Sequence, residues 1–210
     1  MKIGIIGSGN VGSALGKIWA NNGHEIMFSS RHPEKLKGLA VSIGKNACFG
    51  LPPEAARYGE VVVLSVPWTQ AADALKSAGH LKGNVLIDCT NPLKPDMSGL
   101  AIGYTTSAAE EVARMAPEAK VVKAFNTTFA AVMHSPSRMF GSQKATGFYC
   151  GDDSSAKTIV SGLIKKTGLD PLDVGPLTCA RYLEPLAMLA MQIAFVQGVG
   201  TEMALGLLRR

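Results

Sequence analysis

The run Gly7-Ser8-Gly9-Asn10-Val11-Gly12 follows directly on the apolar Ile3-Gly4-Ile5-Ile6. Glycines at that spacing, between a short strand and a helix, suit one kind of chemistry: holding a pyrophosphate. Gly7 permits the tight turn, Gly9 lets the backbone approach the phosphates, and Gly12 lets helix and strand pack closely. The helix N-terminus adds free N–H groups and a positive dipole end aimed at the anion. With both flanks in place, the spacing predicts a dinucleotide-binding loop.

The end of the next predicted strand carries Ser29-Ser30-Arg31-His32, and no carboxylate lies between Ile26 and Pro33. A carboxylate there would accept from ribose hydroxyls and repel a 2′-phosphate. Two hydroxyls and the planar fork of Arg31 instead suit a phosphate, so the sequence predicts NADP(H) over NAD(H).

Three further loops leave predicted strand ends: Ser65-Val66-Pro67-Trp68, Asp88-Cys89-Thr90-Asn91-Pro92 and Ala124-Phe125-Asn126-Thr127. Ligands bind at the carboxyl ends of such strands. Ser65, Val66, Pro67, Asn91, Ala124 and Asn126 are therefore candidate cofactor-binding residues, with Asn91 and Asn126 placed to hold a carboxamide or a substrate carbonyl. Trp68 reads equally as packing or as a stacking platform.

No catalytic side chain is evident. His24, His32, His80 and His134 stand alone, although His134 follows the Asn126 loop, and Lys123 reads as pointing outward from its strand. No nucleophile elbow or metal-ligand spacing is present, and the four cysteines form no cluster. That pattern fits hydride transfer, where the cofactor carries the chemistry and the protein supplies placement, with Asn126 as a positioning residue.

The elements that must position these residues alternate strand and helix. Helices are expected at 10–22, 33–43, from Pro52, 71–78, from Ser107 to near 116, and after Asp152-Asp153. Strands are expected at 25–28, 47–49, 60–67, 85–88, 120–125 and 146–150. Val61-Val62-Val63-Leu64 is continuously apolar, as in a parallel strand buried on both faces. Ser107-Ala108-Ala109-Glu110 has capping-box spacing. Residues 93–106 and 135–144 read as irregular. The fold class is α/β, a doubly wound, mostly parallel Rossmann-type sheet with a small C-terminal helical segment.

The 210 residues, 47% hydrophobic and 18% charged with 23 glycines, suffice for one domain with a small second lobe. The division expected is a nucleotide-binding core at 1–150 and a C-terminal lobe at 151–210. A net charge of +5 without a basic run argues against nucleic acid. Met1-Lys2-Ile3 lacks the shape of a signal peptide, which with dispersed cysteines predicts a cytoplasmic setting. Residues 186–208 are nearly all apolar, but Gln192, Gln197 and Glu202 favour a buried or subunit-packing helix over a membrane span.

The glycine loop, Ser29-Ser30-Arg31, Val63-Leu64-Ser65-Val66-Pro67-Trp68, Gly151-Asp152-Asp153 and Gly175-Pro176-Leu177 together resemble the NADPH-dependent deazaflavin (coenzyme F420) oxidoreductases. The resemblance runs through essentially the whole chain. It implies NADP over the glycine loop, with Ser8, Ser30 and Arg31 at positions that hold its phosphates. It also implies a deazaflavin against the nicotinamide, and a C-terminal segment that closes the acceptor pocket and helps form a homodimer.

One departure matters. Where the archaeal deazaflavin enzymes carry a His after the late strand, this chain has Asn126. Lys123-Ala124-Phe125-Asn126-Thr127, with Ala180-Arg181-Tyr182-Leu183-Glu184-Pro185-Leu186, is similar to the cytosolic oxidoreductase domain of the six-transmembrane metalloreductases. Those use NADPH to reduce a flavin. Deazaflavin and flavin both stay open as acceptor. From the residues, Arg181, Tyr182 and Glu184 either line the acceptor side or include a structural Arg181–Glu184 helix pair. An NADP-binding redox sensor without turnover and a small-substrate alcohol or imine dehydrogenase are the alternatives.

Overall fold

β1 (Lys2–Ile6) lies inside an eight-stranded sheet in a computed structural model that describes residues 1–208. On one side it pairs in parallel with β2 (Glu25–Ser29), which pairs with β3 (Ala47–Gly50). On the other side come β4 (Val61–Leu64), β5 (Val85–Asp88) and β6 (Lys120–Ala124), all parallel. The order β3-β2-β1-β4-β5-β6 is that of a doubly wound Rossmann sheet, and its switch point lies between β1 and β4.

Both faces are covered, which is why β4 and β5 are apolar almost throughout. One face packs α1 (Asn10–Asn21) and, beyond it, α7 (Ser154–Lys166), with α2 (Lys37–Ile43) at its margin. The other packs α3 (Pro52–Tyr58), α4 (Ala71–Ala78) and α5 (Ala108–Met115). Trp19 of α1 is fully buried, edge-on to Phe125 at 5.8 Å, and its Nε1–H donates to the Leu163 carbonyl. That contact fixes α1 and α7 together over the strand that leads to Asn126.

The expected elements are present, with four differences. A short helix, α6 (Ala130–His134), follows the Asn126 loop directly. The segment 135–144 contains a hairpin, β7 (Met139–Phe140) with β8 (Gln143–Lys144). β9 (Thr146–Gly151) joins β6 antiparallel, and β10 (Asp170–Asp173) extends the sheet beyond it. The sheet layer therefore runs on to Asp173.

The fourth difference concerns the expected C-terminal helix at 186–208. α8 (Ala180–Met191) begins earlier and ends in a π-helical turn, Gln192–Val196. Gly198 and Gly200 then take φ of +73° and +85°, which stops the helix, and the chain to Leu208 is non-helical. The helical run Leu177–Val196, 20 residues, has the length and apolarity of a membrane span. Its inner face nevertheless packs against the protein through Ala180, Leu183, Glu184, Ala187, Ala190 and Ala194, while Leu189, Phe195 and Val196 face outward.

Candidate functional site

The glycine loop is built by steric exclusion. Gly7 has φ of +95°, and a Cβ on Gly12 would lie 2.2 Å from the Gly7 carbonyl oxygen and 2.6 Å from Ser65 Oγ. Only glycine lets α1 approach the β1 exit this closely. A Cβ on Gly9 would meet nothing within 4 Å, so its surroundings are open to a ligand. Gly9 also caps α1 without any side-chain cap, leaving first-turn N–H groups free for an anion. Ser65 Oγ donates to the Gly7 carbonyl at 2.6 Å and Ser8 Oγ to the Ser29 carbonyl at 3.2 Å, so both hydroxyls brace the loop.

Beside the loop, at the β1 and β2 ends, lies a cavity of about 230 Å³ walled by Gly7, Ser29, Ser30, Arg31, Pro52 and Val66. α4 closes it with Gln70 and Asp73, two residues that no motif in the sequence singles out. Ser29 takes part through its backbone, because its hydroxyl is buried and donates to the Ile5 carbonyl at 2.8 Å. The Ser30 hydroxyl accepts from the His32 N–H at 3.0 Å, which leaves its proton for a ligand. Arg31 is exposed at the rim. A hydroxyl donor and a guanidinium at this place form a site for a monoester phosphate.

On the opposite side of the loop two cavities adjoin. The larger, about 470 Å³, is lined by Gly9, Asn10, Ser65, Pro67, Trp68 and Met97, among others. The smaller, about 250 Å³, lies between the β6 exit and α8 and is lined by Phe125 through Ala130 with Ala187, Ala190, Met191 and Phe195. Val11, Cys89 and Asn91 line both. The sequence-predicted residues thus gather at one edge of the sheet, except that Ala124 is sealed in the core and Gly12 acts by packing. The α8 wall is signalled in sequence only by its apolar periodicity. His134 is exposed and lines none of these cavities.

Asn91 and Asn126 form a reciprocal pair. Asn91 Nδ2 donates to the Asn126 carbonyl at 2.9 Å, and Asn126 Nδ2 donates to Asn91 Oδ1 at 3.1 Å and to the Leu183 carbonyl at 3.0 Å. Phe125, just before Asn126, holds φ of +64° while fully packed. That is an unusual conformation for a bulky residue, and such strain concentrates at functional sites. Burial pushes the Cys89 thiol far above its ordinary range, so it stays protonated where the two cavities meet.

Beneath this floor lies a charged core that corrects two expectations. Lys123 does not point outward: it is 0% exposed, with Nζ 2.8 Å from Asp88 Oδ2, 2.8 Å from Glu184 Oε1 and 2.6 Å from the Thr90 carbonyl. Burial alone would lower its pKa, but the Asp88 and Glu184 charges outweigh burial and raise it. The second carboxylate is offset by the start of α5, since Glu184 also accepts from the Ala108 and Ala109 N–H groups at 2.9 and 3.1 Å. Nor do Arg181 and Glu184 pair. Arg181 forks onto Glu110 at 2.9 and 2.6 Å, and that bond to the guanidinium holds the Glu110 carboxyl below its ordinary range.

This arrangement matches known proteins. The family model described as NADP oxidoreductase, coenzyme F420-dependent, matches residues 2–92, from β1 to the β5 exit loop. The F420-dependent NADP reductase of Methanothermobacter marburgensis is 30% identical over 92% of this chain and 92% of its own length. Metalloreductase STEAP3 of Rattus norvegicus is 31% identical over 89% of this chain, which spans only 36% of that protein. The crystal structure of a putative F420-dependent NADP-reductase from Arthrobacter sp. FB24 superposes with a TM-score of 0.90 at 30% identity, covering 100% of both chains. An anion-binding glycine loop, a monoester-phosphate site and a floor without an acid–base dyad are what such enzymes require, and the chain belongs to the coenzyme F420-dependent family of NADP oxidoreductases.

Proposed function

We propose that this enzyme transfers a hydride between NADP(H) and a fused three-ring acceptor, a deazaflavin of the coenzyme F420 type. The observation that carries the reading is the junction of two unequal cavities at Val11, Cys89 and Asn91, beside the open face of the glycine loop. A dinucleotide whose 2′-phosphate lies at Ser30 and Arg31 and whose pyrophosphate crosses Gly9 points its nicotinamide at that junction. The larger cavity, with Trp68 and Met97 on its walls, has room for the acceptor. Bound NADPH supplies the hydride; the chain's own residues bind, orient and exclude water. The relatives that this chain covers nearly end to end are F420-dependent NADP reductases, which favours a deazaflavin.

A flavin acceptor is the second reading. It is favoured by Asn126 and by the similarity to the metalloreductases. The exposed apolar side of α8 further supports association with a second copy of the chain.

The test is anaerobic NADPH oxidation by purified protein against coenzyme F420, FMN, FAD and riboflavin, with NADH as the donor control. Turnover with coenzyme F420 alone is expected. Turnover with ordinary flavins alone would replace the deazaflavin reading by the flavin one. Tight NADPH binding without turnover of any acceptor would point to a sensor.

A further inference from the structure

Asn126 has one polar atom that the protein leaves unused. Its side chain is 93% buried, its Nδ2 makes two hydrogen bonds, and its Oδ1 has no partner. The amide cannot be turned to exchange the two atoms. Nδ2 faces two oxygens, Asn91 Oδ1 and the Leu183 carbonyl, and Oδ1 in its place would face both without a proton between them. Asn91 is fixed in the same way, because its Nδ2 faces the Asn126 carbonyl. The unpaired group at this point of the smaller cavity is therefore an acceptor and nothing else. A buried acceptor without a partner is destabilising by about 1–3 kcal/mol, and the strained Phe125 backbone holds it there nonetheless.

We infer that Asn126 Oδ1 is the atom that reads the nicotinamide carboxamide, accepting a hydrogen bond from its NH2 group. This rests on the NADP(H) reading above. An acceptor-only atom selects an N–H or O–H donor and rejects a carbonyl or a carboxylate, so it cannot hold a substrate carbonyl. Among the groups the two cavities must receive, a single ring carrying a carboxamide suits the smaller one, of about 250 Å³. The three fused rings of a deazaflavin need the larger one, of about 470 Å³. The remaining walls, Phe125, Phe129, Ala187 and Ala190, are apolar and fit a ring face, while Asn126 supplies the one directional contact. Asn126 is thus a specificity-determining residue for the cofactor's carboxamide, and the Asn91 pair and the Leu183 carbonyl are what orient it.

The test compares the affinity of NADP+ with that of its 3-acetylpyridine analogue, which replaces the carboxamide NH2 by a methyl group and so has no donor. Calorimetry or fluorescence quenching reads binding without turnover. The wild-type protein is expected to bind the analogue at least tenfold more weakly, and N126A is expected to bind the two within about twofold of each other. A purely structural role for Asn126 would weaken both nucleotides equally and preserve their ratio, which overturns the inference. Equal affinities in the wild-type protein overturn it without any variant, so the result does not depend on how well N126A folds. Failure to bind NADP+ at all would instead refute the nucleotide reading itself.

Discussion

Arg31 and Ser30 meet a phosphate in different ways. The Ser30 hydroxyl is oriented by the His32 N–H, whereas Arg31 stands free at the rim and brings a full charge. A hydrogen bond to a charged group contributes about 1.5–3 kcal/mol, and exposure lowers that, so R31A should weaken NADPH binding about tenfold. NADH has no 2′-phosphate and should lose little. Titrating both nucleotides into wild type and R31A decides the matter, because equal losses would mean that Arg31 does not touch the phosphate. The glycine loop and Ser29-Ser30-Arg31 were legible because each acts within a few residues of itself. Lys123 and Arg181 were not, because their partners lie 35 to 76 residues away and only the tertiary fold joins them. A lysine flanked by Val122 and Ala124 reads as solvent-facing until two carboxylates from other elements meet it.

Elements depend on that buried lysine. Lys123 of β6 holds Asp88 of β5, the Thr90 loop and Glu184 of α8, and through Glu184 the start of α5. K123M would leave two buried carboxylates without a cation, which should destabilise the fold by about 3–5 kcal/mol. The pH dependence has a definite sign. The folded pKa of Lys123 is raised, so its contribution is fully present below the unfolded lysine value of about 10.4 and is lost as pH climbs through the folded value. Denaturation midpoints of the wild type should hold through neutral pH and fall in strong alkali, more steeply than those of K123M. Parallel slopes for the two proteins above that point would contradict the network. Which elements the sequence revealed has a similar physical basis. Continuous apolar runs such as Val61–Leu64 announce central strands, whereas β10 reads Asp170-Pro171-Leu172-Asp173 and sits at the sheet edge, where proline is tolerated and the apolar signal is weak. α6 has five residues, too few for helical periodicity to show. The apolar composition of 186–208 carried no sign of its break, which lies in the positive φ of Gly198 and Gly200.

At the scale of the molecule, one face of the C-terminal segment is left uncovered. Leu189 is 56% exposed, Phe195 62%, Val196 66% and Val199 63%. The inner side of the same helix is anchored by Glu184 and by the bond from Asn126 to the Leu183 carbonyl. Phe195 stands at the margin of this face, edge-on to Phe129 at 6.1 Å, and both rings wall the smaller cavity. A partner seated on the outer face would therefore also shelter the nicotinamide side of the site. A second copy placed by a two-fold axis brings like apolar faces together and is the simplest such partner. Light scattering at micromolar concentration should give twice the 22.0 kDa chain mass. V196E, which alters the outer face and not the cavity lining, should return the monomer. If the second copy shelters the site, NADP+ affinity must fall as the dimer dissociates, since whatever binds the associated form favours association. A wild-type monomer would refute the assembly. A dimer whose dissociation leaves nucleotide affinity unchanged would keep the assembly and separate it from the site.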